Sequence, residues 1–260
     1  MEVNPKKYYG QHFLKSPASA ERIADAIPGT AAYVLEIGPG KGILTGYLYQ
    51  RFGNALKIVE IDRESIDYLK ETFNYIGENN LIEGDFLKQD LTGLFQGEFH
   101  LVGNFPYNIS SQIIFRLLEN RGIIPSMTGM FQEEVALRIA SGPGSKVYGI
   151  LSVLVQAFYS VQILFTLSEN AFTPPPRVKS AVIRLIRKNN YRLGCDDRLF
   201  FRVVKQAFQQ RRKTLRNSLK TMTGARELPG IFVSRRPEEL SVDEFIRLTQ
   251  AIEHLNHSVS

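Results

Sequence analysis

A buried strand that runs directly into a glycine-rich turn and then into a helix constrains this fold more than any other feature of the chain. Residues 34–42, with the sequence VLEIGPGKG, have this pattern. Glycine allows positive φ angles and lets the backbone pass close to a ligand. A strand, a glycine-rich turn and a helix in this order are typical of the start of a doubly wound α/β sheet, which binds ligands at the carboxyl ends of its strands.

Short apolar runs alternate with amphipathic segments over the first ~185 residues, which predicts a mostly parallel sheet wound with helices. The seven predicted strands cover residues 32–37, 56–61, 80–83, 99–103, 127–132, 161–167 and 180–186. The predicted helices cover residues 17–27, 42–52, 63–74, 110–119, 133–140 and 149–158. No helical pattern separates the last two strands, so we expect the sheet to end in an antiparallel hairpin. Such a sheet is usual for a class I methyltransferase, a Rossmann-like α/β fold.

The pattern changes after residue 187, where a polar segment without periodicity predicts a linker. Beyond it, helical spacing covers residues 197–207, 210–222 and 241–255, and Ser241 with Glu244 forms a predicted capping box. We therefore predict a methyltransferase domain with an N-terminal arm over residues 1–187, a linker over 188–195 and a small all-helical domain over 196–260.

Positive charge is concentrated in one part of the chain. Residues 170–226 contain 15 Lys or Arg and only two acidic residues, although the whole chain has a net charge of only +6. Charge of one sign gathered in a fifth of the chain indicates a polyanionic partner. Nucleic acid is favoured over a membrane, because no basic amphipathic helix with bulky apolar anchors accompanies the charge.

Composition excludes several other classes of protein. No apolar run approaches the roughly 20 residues of a membrane span, and the first residues lack the apolar core of a signal peptide, so we expect a cytoplasmic protein. Cys195 is the only cysteine. The four histidines (His12, His100, His254 and His257) are not paired at metal-ligand spacing. We therefore expect neither an intrachain disulfide nor a metal site.

The glycine turn favours S-adenosylmethionine over a dinucleotide. The spacing is G-x-G-x-G, with Gly38 and Gly40 in the turn and Glu36 two residues before the first glycine. A dinucleotide places its pyrophosphate at the helix N-terminus, where this carboxylate would repel it. S-adenosylmethionine has no phosphate and carries an ammonium and a sulfonium group, so nearby carboxylates are favourable.

Two further acids follow the next two predicted strands. Glu60 is placed to accept hydrogen bonds from the ribose hydroxyls, and Asp85 could accept from the adenine amine, with Phe86 packing nearby. An acid at a strand end is often only a helix cap. Because the carboxyl ends of parallel strands meet at one edge, these acids and the glycine turn together predict one cofactor crevice.

The tetrapeptide Asn104 to Tyr107, with the sequence NFPY, ends another predicted strand. An exocyclic base amine is a poor nucleophile, because its lone pair is drawn into the ring. The side-chain oxygen of Asn104 and the carbonyl of Pro106 could accept both amine hydrogens, while Tyr107 stacks on a flipped base. Phe172, in the proline-rich segment 170–176, could add a second stacking face. The plain alternative for NFPY is a strand that ends in an Asn-Pro turn, and for Phe172 it is a core position.

Several ordered blocks of the chain resemble the ribosomal RNA adenine dimethyltransferases, most of all their small-subunit, kasugamycin-sensitivity branch. The blocks are residues 10–14, 35–42, 59–62, 84–85, 103–110, 170–178 and 210–219. The resemblance implies dimethylation of N6 on two adjacent adenosines in the 3′-terminal hairpin of small-subunit rRNA, with S-adenosylmethionine as cofactor. Carried over by position, it implies cofactor contacts at His12, Leu14, Gly38, Glu60, Asp85 and Asn104.

This chain departs from the family pattern at two positions. The family often has Asn where His12 stands, and commonly Leu or Ile where Phe105 stands. The first change adds a titratable group, and the second alters the pocket for the monomethylated amine.

The helical domain over residues 196–260 is predicted to bind RNA through its basic residues. Their contacts with phosphates give affinity but read no sequence. The predicted contacts are Lys205, Arg211, Arg212, Lys213, Arg216 and Lys220. We expect a monomer that binds the small-subunit precursor and no membrane. Three alternatives stay open: a large-subunit rRNA methyltransferase of the macrolide-resistance type, a non-catalytic ribosome assembly factor and, more distantly, a DNA adenine methyltransferase.

Overall fold

The computed structural model describes residues 3–224 and 226–257; residues 1, 2, 225 and 258–260 of the predicted domains lie outside them. Nine strands occur in this part of the chain: β1 (Phe13–Leu14), β2 (Val34–Ile37), β3 (Leu56–Glu60), β4 (Leu81–Glu83), β5 (His100–Asn104), β6 (Ser126–Gln132), β7 (Tyr159–Leu167), β8 (Phe172–Thr173) and β9 (Ser180–Arg187).

The described residues also form eleven α-helices. They are α1 (Pro17–Asp25), α2 (Ile43–Phe52), α3 (Arg63–Thr72), α4 (Ser110–Glu119), α5 (Glu133–Ala140), α6 (Ile150–Phe158), α7 (Asp197–Gln209), α8 (Leu215–Ser218), α9 (Lys220–Thr223), α10 (Gly230–Val233) and α11 (Val242–His257).

Seven strands form one sheet in the order β4-β3-β2-β5-β6-β9-β7. The first five of these are parallel to their neighbours, and β9 is antiparallel to β6. The strand order reverses between β2 and β5, and a crevice at such a switch point is where open α/β sheets bind ligands. The predicted mostly parallel seven-stranded sheet of a class I methyltransferase is confirmed.

The centre of the sheet is buried. All four residues of β2 are buried, because parallel sheets are covered on both faces by helices. On one face α1 and α2 pack on the sheet and bring Ile23, Leu44 and Leu48 into a cluster with Val102 and Met130. This packing fixes the strand ends that carry the site.

A second, two-stranded sheet was not predicted. In it β1 pairs antiparallel with β8, with Phe13 opposite Thr173 and Leu14 opposite Phe172. Two residues per strand are too few to produce a period-2 pattern in a sequence. This ribbon ties the N-terminal arm to the segment that precedes the proline run.

The predicted helix over residues 210–222 is wrong. The chain leaves the helical conformation after α7 and forms two four-residue helices, α8 and α9. The adjacent cations at 211–213 lie in the turn before α8, because like charges near a helix N-terminus repel each other and oppose the helix dipole. The backbone N–H of Leu215 instead donates to the carbonyl of Arg235 at 2.8 Å.

The described chain divides into two compact units. The first contains the residues up to Ala136 and Gln162–Arg187, and the second contains Leu137–Val161 and the residues from Lys188 onward. Residues 137–161 therefore group with the C-terminal helices and not with the predicted first domain. The reason is that α6 is apolar on nearly all sides and packs against α7 and α11. Among the residues that the structure describes, no helix has both the length and the apolar character of a bilayer span.

Candidate active site

A cavity of about 250 Å³ lies at the carboxyl edge of the sheet, where β2, β3, β4 and β5 end. Eight of the residues predicted for the cofactor or for catalysis line it: His12, Gly38, Gly40, Glu60, Asp85, Asn104, Pro106 and Tyr107. The structure therefore brings together, from distant parts of the sequence, the groups that the strand-end pattern and, for His12, the family resemblance predicted to meet.

The turn after β2 requires glycine at two positions. Gly40 has φ 56°, and a Cβ there would lie 2.7 Å from the ring of Phe13. Gly42 has φ 74°, and a Cβ there would lie 2.3 Å from the ring of Phe73. Side chains at these positions would be strained by φ and would collide with aromatic rings. Because these two glycines have no side chain, Phe13 of the N-terminal arm and Phe73, which follows α3, can pack closely against the backbone of the turn.

Glu60 is the buried acid of the cavity, with only 3% of its surface exposed. Its carboxylate accepts hydrogen bonds from the backbone N–H groups of Gly40 at 3.3 Å and of Ile61 and Asp62 at 2.8 Å each. Burial raises the pKa of Glu60 above its usual value, although these three N–H groups oppose the shift. A carboxylate fixed in this way is positioned to accept hydrogen bonds from ligand hydroxyls.

Asp85 lies in the loop after β4 and is more open to solvent. One of its oxygens accepts from the N–H of Leu87 at 2.9 Å, and the other lies 3.9 Å from the ammonium of Lys88. Its neighbour Phe86 is buried. Asp85 can therefore turn an acceptor oxygen towards the cavity.

Glu36 and Leu14 do not line the main cavity. Both border a smaller adjoining space of about 20 Å³, together with Asn104. Glu36 is almost fully buried, and its carboxyl accepts a hydrogen bond from Thr45 Oγ1 at 2.7 Å. Burial raises the pKa of Glu36 to about 8, so near neutral pH much of this carboxyl is protonated.

The side chain of Asn104 has a defined orientation. Its Nδ2 donates to the main-chain carbonyl of His12 at 2.8 Å, which leaves Oδ1 as the free acceptor of the amide. No group in the described part of the chain donates to Oδ1. The amide therefore presents the oxygen that accepting an amine hydrogen requires.

The carbonyls that follow Asn104 differ in their availability. The carbonyl of Pro106 already accepts from the N–H of Ile109 at 3.2 Å and from Ser110 Oγ at 3.2 Å. Within residues 3–224 and 226–257, no donor is bound to the carbonyl of Phe105. The Phe105 carbonyl is thus the less occupied of the two acceptors beside Asn104.

The rings near Asn104 are held from two sides. The Tyr107 hydroxyl hydrogen-bonds to Ser180 Oγ, and burial raises the pKa of Tyr107. The His12 ring stacks on Tyr107, with ring centroids 5.4 Å apart.

By contrast, Phe172 is 1% exposed in the core cluster and does not line the cavity. The structure does not bring Phe172 to the site, because β8 turns its ring into the core opposite Leu14.

The ring of Phe105 lies in the core and fits a space that two glycines provide. A Cβ at Gly129 would lie 2.1 Å from this ring, and a Cβ at Gly103 would lie 2.9 Å from it. The ring also packs edge-on against Phe131. The larger residue at position 105 is thus accommodated by the absence of side chains on β5 and β6.

The N-terminal arm closes one side of the cavity, and Tyr8, Tyr9 and Gly10 contribute to the lining. Lys6 and Gln11 both donate to the buried carboxylate of Asp62, Gln11 at 3.0 Å. Burial alone would raise the pKa of Asp62, but the Lys6 ammonium and the Gln11 amide lower it below its usual value.

Sequence reasoning also missed lining residues beyond the arm, namely Ile61, Leu87 and Asn108. Ile61 could have been found from the sequence, since it is an apolar residue between two acids at the end of a predicted strand. In the structure it is 45% exposed. Leu87 and Asn108 had no such signal in the sequence.

The lining fits a cationic cofactor. It includes the carboxylates Glu60 and Asp85 and, among the described residues, no Lys or Arg. A phosphate-bearing cofactor would find no cationic side chain here, whereas sulfonium and ammonium groups are favoured near carboxylates.

A family model described as ribosomal RNA adenine dimethylase matches residues 3–253. The chain belongs to the ribosomal RNA adenine dimethylase family. It is 55% identical over 256 residues to the Ribosomal RNA small subunit methyltransferase A of Bacteroides thetaiotaomicron, covering 96% of this chain and 95% of the relative. It is 54% identical to the protein of the same name from Flavobacterium johnsoniae, covering 97% of each.

Solved structures agree with this membership. A dimethyladenosine transferase from Plasmodium falciparum has a TM-score of 0.78 and 26% identity, covering 94% of this chain and 98% of that one. The 23S rRNA methyltransferase ErmE has a TM-score of 0.69 at 24% identity, covering 93% of this chain and 99% of that one, and it shares the fold. The chain is therefore an S-adenosylmethionine-dependent rRNA adenine dimethyltransferase with a class I methyltransferase fold.

Most of the cationic residues predicted to bind RNA are exposed in the second unit. Lys205, Arg212, Lys213, Arg216 and Lys220 are exposed. Arg211 differs, because it is partly buried, donates to the carbonyl of Ser145 at 3.2 Å and lies 3.9 Å from Glu238. No cluster of three or more potential metal ligands occurs in the described residues.

Proposed function

We propose that this dimethyltransferase modifies N6 of two adjacent adenosines in the 3′-terminal hairpin of small-subunit rRNA, giving N6-dimethyladenosines during subunit biogenesis. Relatives at 50% identity or more over nearly the whole chain are named small-subunit methyltransferases, which supports this substrate. We further propose that it acts as a monomer in the cytoplasm, where the precursor subunit would be its partner.

The cofactor would be held along the carboxyl edge of the sheet. Glu60 would accept from its ribose hydroxyls, Asp85 from its adenine amine, and Gly38 and Gly40 would let the backbone approach. Ile61 and Phe86 offer apolar surface for the adenine ring beside these acids. S-adenosylmethionine supplies an electrophilic methyl group when it is bound.

The observation that carries the catalytic proposal is the fixed amide of Asn104. Its Oδ1 would accept one hydrogen of the target amine and would turn the lone pair towards the methyl group. The second hydrogen would go to a main-chain carbonyl, and the Phe105 carbonyl is favoured over that of Pro106, which already accepts two hydrogen bonds. No strong general base is needed, because the amine becomes acidic once it is methylated. Catalysis then depends mostly on positioning and electrostatics.

Tyr107 would bind the flipped base by stacking. The base would use the ring face that His12 does not cover, since His12 stacks on the other. The hydrogen bond from the Tyr107 hydroxyl to Ser180 fixes the ring before the base arrives. Phe172 has no part in this proposal, because its ring lies in the core.

The second unit would supply RNA affinity. Its exposed cations, Lys205, Arg212, Lys213, Arg216 and Lys220, would contact phosphates, and RNA shape would then determine the site of modification. Arg211 would contribute less, because it is engaged with Ser145 and Glu238.

The substrate proposal is tested by incubating the protein and S-adenosylmethionine with undermethylated small subunits and, in parallel, with large subunits. Mass spectrometry of RNA fragments should then find N6-dimethyladenosine at two adjacent positions near the 3′ end of the small-subunit RNA. Modification of large-subunit RNA instead would identify the macrolide-resistance activity. No modification of either RNA would contradict the proposed substrate and favour the assembly-factor alternative.

A further inference from the structure

We propose that His12 is a positioning residue for methyl transfer, through which the segment around Pro174 holds the Asn104 amide in its reactive orientation. This inference rests on the roles of Asn104 and Tyr107 proposed above. It gives His12 a function beyond lining the cofactor cavity, and it assigns that function to the imidazole that stands where the family often has an amide.

The position of His12 follows from the register of the β1–β8 ribbon. Lys15 N–H donates to the Ala171 carbonyl at 2.9 Å, and Phe13 pairs with Thr173. The pairing ends at Phe13 and Thr173, so His12 and Pro174 are the next residue of each segment beyond the ribbon. Proline has no N–H to donate and does not extend the ladder.

The main-chain carbonyl and the imidazole of His12 each form a hydrogen bond outside the ladder. The main-chain carbonyl of His12 accepts from Asn104 Nδ2 at 2.8 Å. Its side chain contacts the proline run, with His12 Nδ1 2.8 Å from the Pro174 carbonyl. Because a carbonyl only accepts, Nδ1 carries the proton and donates.

The imidazole is held on its face as well as at its edge. It stacks on Tyr107 with an interplanar angle of 28°, and Tyr107 is in turn tied to Ser180 on β9. His12, Tyr107 and Asn108 line both the cofactor cavity and a neighbouring cavity that Gln132 and residues 174–178 complete. His12 therefore stands in the wall between the two spaces, in contact with the amide and with the aromatic ring that the reaction uses.

Release of the imidazole from Pro174 would free the arm on one side of Asn104. The amide would then sample other rotations, and Oδ1 would meet the amine less often. The second methylation should suffer more than the first, because the monomethylated amine is bulkier and has a single hydrogen left to guide it. An accumulation of monomethyladenosine is therefore the expected signature.

Three substitutions distinguish the effect of the His12 hydrogen-bond donor from the effect of its aromatic ring. His12→Asn keeps a donor near the position of Nδ1, His12→Phe keeps an aromatic ring but loses the donor, and His12→Ala loses both. The readouts are the ratio of mono- to dimethyladenosine on small subunits at matched total methylation, kcat and KM for the subunit, and the Kd of S-adenosylmethionine from calorimetry. The ratio does not depend on the fraction of folded enzyme, so a loss of stability alone does not change it.

We expect the mono-to-di ratio to rise about 3- to 10-fold in His12→Phe and His12→Ala, as the loss of one hydrogen bond of about 1 kcal/mol implies. His12→Asn should stay within about 2-fold of the wild type, and the Kd of S-adenosylmethionine should change little in all three. A wild-type ratio in His12→Phe and His12→Ala would overturn the proposal. A fall in cofactor affinity that matches the fall in turnover would also overturn it, because His12 would then act on the cofactor.

The outcome for Asn104 separates this inference from the function on which it rests. If Asn104→Ala keeps normal methyl transfer, the catalytic role proposed for Asn104 fails, and with it the ground for a positioning role of His12. If Asn104→Ala is inactive while His12→Phe and His12→Ala produce the normal ratio, only the role of His12 fails.

Discussion

Asn104 receives its orientation from a main-chain carbonyl 92 residues earlier in the sequence. A free amide can present either its oxygen or its nitrogen to a ligand. The bond from Nδ2 to the His12 carbonyl removes this ambiguity before any substrate binds. Preorganisation of this kind reduces the cost of orienting the group during the reaction.

Replacement of Asn104 tests this residue directly. Asn104→Ala should lower kcat by about 10²- to 10³-fold, the usual loss for one preorganised hydrogen-bonding group, while the Kd of S-adenosylmethionine changes much less. Asn104→Asp should also be strongly impaired, because a carboxylate oxygen would face the His12 carbonyl without a hydrogen between them. Asn79→Ala, an exposed position on the chain before β4, is the control. Steady-state methylation of small subunits measures kcat, and a kcat above a tenth of the wild-type value in Asn104→Ala would contradict the role.

Glu36 predicts a pH dependence of stability. Burial raises its pKa from 4.5 to about 8, so the folded state binds this proton more tightly than the unfolded state. Its favourable contribution to the free energy of unfolding is complete below pH 4.5 and is lost as the pH rises through 8. Glu36→Gln keeps an acceptor for Thr45 and removes the titration. Urea denaturation should therefore show the variant gaining stability relative to the wild type between pH 5 and pH 8. Parallel curves for the two proteins would show that this carboxyl does not carry the effect.

The sequence predicts the positions of site residues well where the topology of the sheet brings those residues together. Glu60, Asp85 and Asn104 each follow a strand of a parallel sheet, so their meeting at one edge needed no knowledge of side-chain packing. Leu14 and Phe172 lie instead on the two-residue strands β1 and β8, which give no periodic signal. Their placement in the core depended on long-range pairing, which single-sequence patterns do not contain.

At the scale of elements, the seven central strands and eight of the eleven helices in the described residues follow from apolar runs and amphipathic spacing. The prediction failed at residues 210–222, where apolar spacing suggested one helix but three adjacent cations precede α8. Apolar spacing indicates which side chains are buried, and both short helices do contain buried side chains. It does not report the local cost of bringing like charges together at a helix start.

The turn before α8 contains two arginines, Arg211 and Arg212, that we expect to have different roles. Arg211→Ala should lower the free energy of unfolding by about 1 kcal/mol, because the Ser145 carbonyl and the Glu238 carboxylate lose a hydrogen-bonding partner. Arg212→Ala should leave stability nearly unchanged, since this side chain is exposed, but should raise KM for the small subunit several-fold. Urea denaturation and steady-state kinetics on the same two variants measure this difference. If Arg211→Ala changes only KM and Arg212→Ala changes only stability, the assignment is reversed.

At the scale of the whole molecule, charge divides along the chain by function. The cofactor cavity is lined by carboxylates without Lys or Arg among the described residues, whereas residues 170–226 hold 15 of the 32 basic residues and two of the 26 acids. A cationic cofactor and an anionic RNA are thus attracted by different parts of one sequence. Their binding should accordingly respond differently to salt.

Counterion release gives the size of that difference. Each phosphate contact contributes about −0.7 to −0.9 to the slope of log affinity against log salt concentration. Removing three exposed cations together, Arg212, Lys213 and Arg216, by substitution with Ala should therefore make the slope for RNA shallower by about 2 to 3. The affinity for S-adenosylmethionine should keep its weak salt dependence, because the cofactor releases few counterions. RNA binding and cofactor binding measured across a KCl series provide both slopes.

A variant of equal charge tests whether position or net charge matters. Substituting Lys57, Arg63 and Lys70 with Ala also removes three positive charges, but outside the basic segment. Arg63 and Lys70 pair there with Glu83. If the basic segment binds phosphates directly, this control should keep the wild-type slope, because contacts and not the total charge release counterions. An equal change of slope in both variants would show instead that the RNA responds only to the long-range field of the protein.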